Sequence, residues 1–246
     1  MNYTLLLVLL ASHLAFPAHA ITFAQLALGG GFESVLVIVN KTDRAWSGQL
    51  RLYQGYNSKW QGRWAVDGQD LTGQDRASLK LNARECRRFR LTGDSGTTQS
   101  GYLDIETDSG YEWDIAVSYA YEVRSAGVLL ESVGSSQSAG SWKFTFAVEK
   151  AAVRNTAFAW CPASRSSTSP FNVMLTLSDS SGAVVRQKTV VFNGHQAQLV
   201  DQIFTDLPES FLGYLSIQSD KYIYLEVLRV EQTPTGFQFT WVPPDY

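Results

Sequence analysis

Trp113–Tyr121 reads WDIAVSYAY, and its hydrophobic pattern has period two. Trp113, Ile115, Val117, Tyr119 and Tyr121 fall on one face, with Asp114, Ala116, Ser118 and Ala120 on the other. Successive side chains of a strand point to opposite sides of the sheet, so this alternation predicts a strand with one face in a core. WKFTFAV repeats the pattern, with Trp142, Phe144, Phe146 and Val148 expected inward. SVLVIVN (34–40) is a continuous β-branched run of the kind a doubly buried strand carries, and YIYLEVLRV (222–230) and FQFTWV (237–242) extend the series. Turn signals separate these runs: Asp94-Ser95-Gly96, Asp108-Ser109-Gly110, Asp179-Ser180-Ser181-Gly182 and Asn193-Gly194. The pattern predicts an all-β, antiparallel β-sandwich fold. The only helix expected is a turn or two around Gln198 to Thr205.

The chain also repeats itself. GYLDIETD (101–108) and GYLSIQSD (213–220) share Gly, Tyr, Leu, Ile and Asp in register, and each precedes a long aromatic and aliphatic strand. KLNARE (80–85) answers VFNGHQ (191–196), and LVIVNK (36–41) answers AFAWCP (157–162). These matches predict two related antiparallel β-sandwich halves packed in tandem, 21–150 and 151–246. The join, AVEKAAVRNTAF (147–158), has no Gly, Pro or Ser-rich linker, so the halves are expected to pack rigidly or share a sheet.

The repeat isolates one segment. Leu52 aligns with Leu177 and Asn82 with Asn193, spans of 30 and 16 positions, so the first half carries 14 extra. The extra sequence, within QGYNSKWQGRWAVDGQDLTGQD (54–75), holds most of LYQGYNSKWQGRW (52–64), a stretch whose rings are Tyr53, Tyr56, Trp60 and Trp64. Inserted hairpin residues usually lie on the surface, because buried irregular backbone cannot satisfy its polar groups. The four rings are therefore candidate ligand-binding residues, set against the plainer reading that Trp60 and Trp64 fold back over one end of the sandwich. Trp113, Trp142, Trp160 and Trp241 are assigned to the core.

Residues 1–20, MNYTLLLVLLASHLAFPAHA, join an apolar run to Pro17 and the small-residue pattern Ala18-His19-Ala20. This predicts a secretory signal cleaved after Ala20, and a mature chain that is not an integral membrane protein. The signal carries no charged side chain, so the net charge of -3 stays with the mature chain. Such a balance offers no basic field for nucleic acid.

Chemistry is limited by composition. Two of the three histidines leave with the signal, and His195 alone cannot assemble a His-based metal site. Cys86 and Cys161 either pair, as an oxidising compartment permits, or remain as buried thiols. No cofactor or metal is expected. Gly93-Asp94-Ser95-Gly96 matches the surroundings of a protease nucleophile, but a triad needs a base, and His195 lies in a turn of the other half. Asp104, Glu106, Asp108, Glu112 and Asp114 could supply a glycosidase pair, yet on strands they are expected to face solvent. Asp67, Asp70 and Asp75 provide oxygen ligands without the spacing of a calcium loop.

FAQLALGGGFESVLVIVNKT (23–42), with GYLDI (101–105), resembles repeated secreted bacterial domains of unassigned function. Those open on Phe-Ala-Gln, continue through Gly-Gly-Gly plus an aromatic, and enter a Leu-Val-Asn strand. The usual Asn-Pro at the strand end is Asn40-Lys41 here, with Cys161-Pro162 at the matching point of the second half. The resemblance implies a secreted β-sandwich and names no reaction. The resulting expectation is a secreted, non-enzymatic protein that binds a protein or glycan at the cell surface or outside the cell, in adhesion or assembly. A carbohydrate-binding module displaying the Tyr/Trp loop is the alternative, and a carboxylate-dependent glycoside hydrolase the third reading.

Overall fold

The computed structural model describes residues 20–245 except 56, 57, 95, 109, 110, 136, 139, 164–169 and 235. The expected signal, up to residue 19, lies outside the described residues. The described chain is all-β and antiparallel. None of its helices is long and apolar enough to cross a membrane.

One sheet orders β1 (Ala20–Leu28), β9 (Gln99–Thr107) and β3 (Trp46–Gly55), with β7 (Arg76–Leu81) and the short β4 (Ser58–Lys59) also on β3. A second orders β11 (Val128–Ser135), β10 (Ile115–Ser125), β2 (Phe32–Asn40), β8 (Cys86–Gly93), β5 (Trp64–Val66) and β6 (Gln69–Asp70). Their apolar faces meet. Phe23, Leu50, Leu52 and Leu103 of the first share a buried cluster with Leu36, Ile38, Phe89 and Tyr119 of the second.

A third sheet orders β15 (Val184–Phe192), β14 (Phe171–Asp179), β17 (Phe211–Thr233), β13 (Arg154–Pro162) and β16 (Gln196–Leu199). β12 (Gly140–Lys150) and β18 (Gly236–Trp241) also pair with β17. β17 runs 23 residues without a break. Its first part pairs with β12 and β14 and its second with β13 and β18, so it stands where β9 and β10 stand in the first group. These strands close a separate cluster around Phe144, Phe146, Trp160, Leu175 and Leu215. The α-helix α1 (Val200–Ile203) falls inside the expected 198–205 window.

The repeated residues occupy matching places. Leu52 faces Leu103 across β3 and β9, and Leu177 faces Leu215 across β14 and β17. A Cβ at Gly101 would run into the carbonyl oxygen of Tyr53, and one at Gly213 into that of Ser178. The glycine of each GYL motif thus lets a neighbouring strand approach at the same point.

Four sequence assignments change. Gly140–Lys150, placed in the first half by sequence, pairs along its length with β17, and Phe144, Phe146 and Val148 enter the second cluster. Trp113 lies on a 3₁₀ turn, Glu112–Asp114, before the strand begins at Ile115, and is 60% exposed. Trp142 sits at the register shift between Ser141 and Lys143 and is also 60% exposed. A bulge breaks the alternation that put it inward. Trp241 is half-buried on β18, whereas Trp46, which sequence left unassigned, is core.

Candidate functional site

Among the described residues, the rings of the aromatic insertion are buried rather than displayed. Trp60 and Trp64 are each 2% exposed and Tyr53 is buried; Tyr56 lies outside the described residues. The Trp60 N–H donates to the Leu52 carbonyl at 3.3 Å, and Trp64 Nε1 donates to the Gln74 carbonyl at 2.7 Å. The insertion builds β4, β5 and β6, and β5 adds to β8 with Trp64 opposite Gly93. Its tryptophans, with Val66 and Leu71, join the first core. Each large aromatic removes about 150–250 Å² from water. At about 25 cal/mol per Å² that favours burial by roughly 4–6 kcal/mol.

The other chemistry-bearing residues also separate. Cys86 is exposed at the start of β8 and Cys161 is buried in β13; both are free, so the pairing alternative is set aside. Ser95 of the Gly-Asp-Ser-Gly tetrad lies outside the described residues. Asp104 is not solvent-facing as expected: it is buried and accepts the Thr22 hydroxyl at 2.6 Å. Glu106 pairs with Arg51 at 2.8 Å, and Asp108 accepts from Ser47 at 2.5 Å. Asp67 pairs with Arg87, Asp70 accepts from Thr72, and Asp75 pairs with Arg76. Among the described residues, no group of three or more His, Cys, Asp or Glu gathers as a metal site.

A cleft lies where the two groups of strands meet. It has a volume of about 210 Å³ and takes lining from both sides, including Ala27, Val133 and Tyr121 from the first group and Ala159, Glu226 and Leu228 from the second. Ser100 and Ala197 on its lining are exposed, whereas Val133, Phe158, Ala159 and Glu226 are buried. It therefore opens to solvent above an apolar interior that holds a carboxyl group.

β1 helps to place that carboxyl. Its pairing with β9 shifts register between Phe23 and Leu26, leaving Ala24 and Gln25 in a bulge. Bulges re-aim side chains, and here Gln25 Oε1 lies 3.0 Å from Nε2 of His195 in the other group. With an amide oxygen as acceptor, Nε2 carries the proton. The Tyr121 hydroxyl lies 2.8 Å from the Gln25 carbonyl oxygen and 2.7 Å from Glu226 Oε1. Glu226 is 2% exposed; Tyr121, Ser135 and the Gln25 backbone hydrogen-bond to its carboxyl, and Oε2 is the oxygen left without a partner.

Burial sets the charge states. Removal from water pushes Glu226 up to about 7 against hydrogen bonds from Tyr121, Ser135 and the Gln25 backbone that favour the anion. The same cause takes His195 down to about 4, against a bond to the Ala24 backbone. Near pH 6 the proton thus resides on the carboxyl rather than the imidazole. Tyr53 and Tyr102 stack at 4.8 Å, and His195 lies 6.3 Å beyond Tyr102, so the ring row crosses the same boundary.

Glu226 was legible as an anomaly. In YIYLEVLRV it shares a face with Tyr224, Leu228 and Val230, a lone acid in an apolar row. Gln25 was visible only as part of Phe-Ala-Gln; its reach across the boundary depends on the bulge. No protein-family model matches the chain, and a search of curated proteins finds no match.

Proposed function

We propose that this chain is a secreted, non-enzymatic binding protein whose ligand seat is the cleft between its two groups of strands. The observation that carries the reading is the apolar cleft with a buried carboxylate oxygen left without a hydrogen-bond partner. A buried polar atom without a partner costs roughly 1–3 kcal/mol, and a ligand that satisfies it recovers that cost. Apolar walls with few convergent polar groups are the usual makeup of a small-molecule site. A cavity of roughly 150 Å³ already admits benzene, so this one has room for a single ring with a short arm.

A binding role fits the carboxylates better than hydrolysis. Glycoside cleavage uses two carboxyl groups about 5–10 Å apart, and Glu226 is the one carboxyl lining the cleft among the described residues. Secretion is supported by the apolar leader and by the resemblance of residues 23–42 to secreted bacterial domains.

The test is a methyl-detected NMR titration with 2-phenylethanol, a neutral probe of fitting size. Saturable shifts at Ala27, Val133, Ala159 and Leu228 are expected, and their loss in Ala157→Phe, which fills the cleft. Absence of saturable shifts at these methyls overturns the reading.

A second reading rests on a different surface. Trp142 and Tyr222 are exposed and pack edge to face at 4.8 Å. Aromatic faces left in water stack on sugars, so glycan contact is better supported here than at the buried insertion. Quenching or enhancement of tryptophan fluorescence by a polysaccharide, abolished by Trp142→Ala, supports it; an unchanged response in that variant removes it.

A further inference from the structure

We infer that the cleft selects an apolar amine: a ligand with one ring or a short aliphatic body and a protonated nitrogen that pairs with Glu226. The inference rests on the reading of the cleft as a ligand seat and adds the class of ligand.

Three observations converge on a cation. First, the cleft interior is apolar, with side chains such as Ala27, Val133, Ala159 and Leu228, so it recognises a hydrocarbon body by fit. Second, the carboxyl has spare capacity on Oε2, while Oε1 already takes the Tyr121 hydroxyl. A carboxylate only accepts, so the complementary group is a donor, and a charged donor forms the stronger bond. Third, no Lys or Arg lines the cleft among the described residues, so no protein cation competes for Glu226 there. A ligand carboxylate would meet like charge in a desolvated site and is disfavoured.

The surrounding titratable groups leave this charge uncompensated. Tyr119 and Tyr121 on β10 and Cys161 on β13 interact electrostatically with Glu226, and burial raises all three, keeping them neutral near pH 7. At pH 8 both ammonium and carboxylate are ionised, and binding moves no proton. Below pH 7 the carboxyl must first lose its proton to solvent, so each amine bound releases one. An alcohol of the same shape binds without that exchange.

The experiment compares 2-phenylethylamine with 2-phenylethanol by isothermal titration on the mature protein and on Glu226→Gln. At pH 8 the amine is expected to bind the wild type at least about tenfold tighter than the alcohol, the factor of one charge-assisted hydrogen bond. In Glu226→Gln the amine's advantage over the alcohol is expected to disappear. In the wild type, amine affinity is expected to fall about tenfold per pH unit below 7, while alcohol affinity stays level. That second readout needs no variant and holds if Glu226→Gln fails to fold. Equal binding of amine and alcohol, or an amine advantage that survives in folded Glu226→Gln, overturns the inference and leaves the ligand seat standing. Failure of both probes to bind overturns the seat as well.

Discussion

The Tyr121 hydroxyl lies 2.7 Å from Glu226 Oε1 and 2.8 Å from the Gln25 carbonyl oxygen, so one proton stands between two acceptors. When Glu226 is protonated the conflict disappears: the carboxyl donates to Tyr121, and Tyr121 donates to Gln25. This proton count agrees with a carboxyl raised to about 7. It also makes the boundary between the strand groups sensitive to pH.

Stability measured against pH should show that sensitivity. A carboxyl whose folded value is raised binds its proton more tightly in the fold, so its stabilisation is present at low pH and lost as pH rises from about 4.5 to about 7. His195 acts in the opposite sense: its folded value is lowered, so stability falls as pH drops from about 6.5 to about 4. The two slopes oppose each other between pH 4.5 and 6.5, where the wild type should be nearly flat. Chemical denaturation of Glu226→Gln is expected to reveal a rising slope across that window, and of His195→Gln a falling one. At pH 8 Glu226→Gln should be more stable than wild type by about 3 kcal/mol, less whatever packing the amide disturbs.

Trp60 and Trp64 should behave as core. Trp60→Ala and Trp64→Ala are each expected to cost about 3–5 kcal/mol in denaturant unfolding. Trp142→Ala, on the surface against Tyr222, should cost less than about 1.5 kcal/mol. A small loss at Trp60 would restore the displayed loop.

The two thiols differ in access. Ellman's reagent on the native protein should modify Cys86 promptly and Cys161 only after unfolding, with two thiols titrated in denaturant. One or no thiol in denaturant without reductant would indicate a disulfide.

The GYL glycines test the repeat. Gly101→Ala and Gly213→Ala each push a methyl into a carbonyl of the adjacent strand, so both should lower the melting temperature by many degrees. Gly127→Ala meets nothing nearby, and its cost should come only from its positive φ.

The sequence carried the all-β class because alternation is a local signal; the Leu52–Leu103 and Leu177–Leu215 pairings beside the two GYL motifs emerge only from the sheet register. It misplaced Trp113 and Trp142 because a 3₁₀ turn and a bulge interrupt the period where each residue sits. The insertion misled for a different reason. Length comparison marked it as extra, but Trp60, Trp64, Val66 and Leu71 carry enough apolar area to be drawn into the core. The cleft was hidden because the polar residues around its carboxyl come from positions as far apart as 25, 121 and 226, which only tertiary packing brings together. Glu226 alone left a trace, as an acid on an apolar face.

The most direct measurement is of intermolecular nuclear Overhauser effects between the ring protons of 2-phenylethylamine and the methyl groups of the protein at pH 8. Contacts to Ala27, Val133, Ala159 and Leu228 are expected, from both sides of the boundary at once. Contacts confined to the Trp142 and Tyr222 surface, or none at any methyl while the protein is folded, would contradict the cleft as the seat of binding.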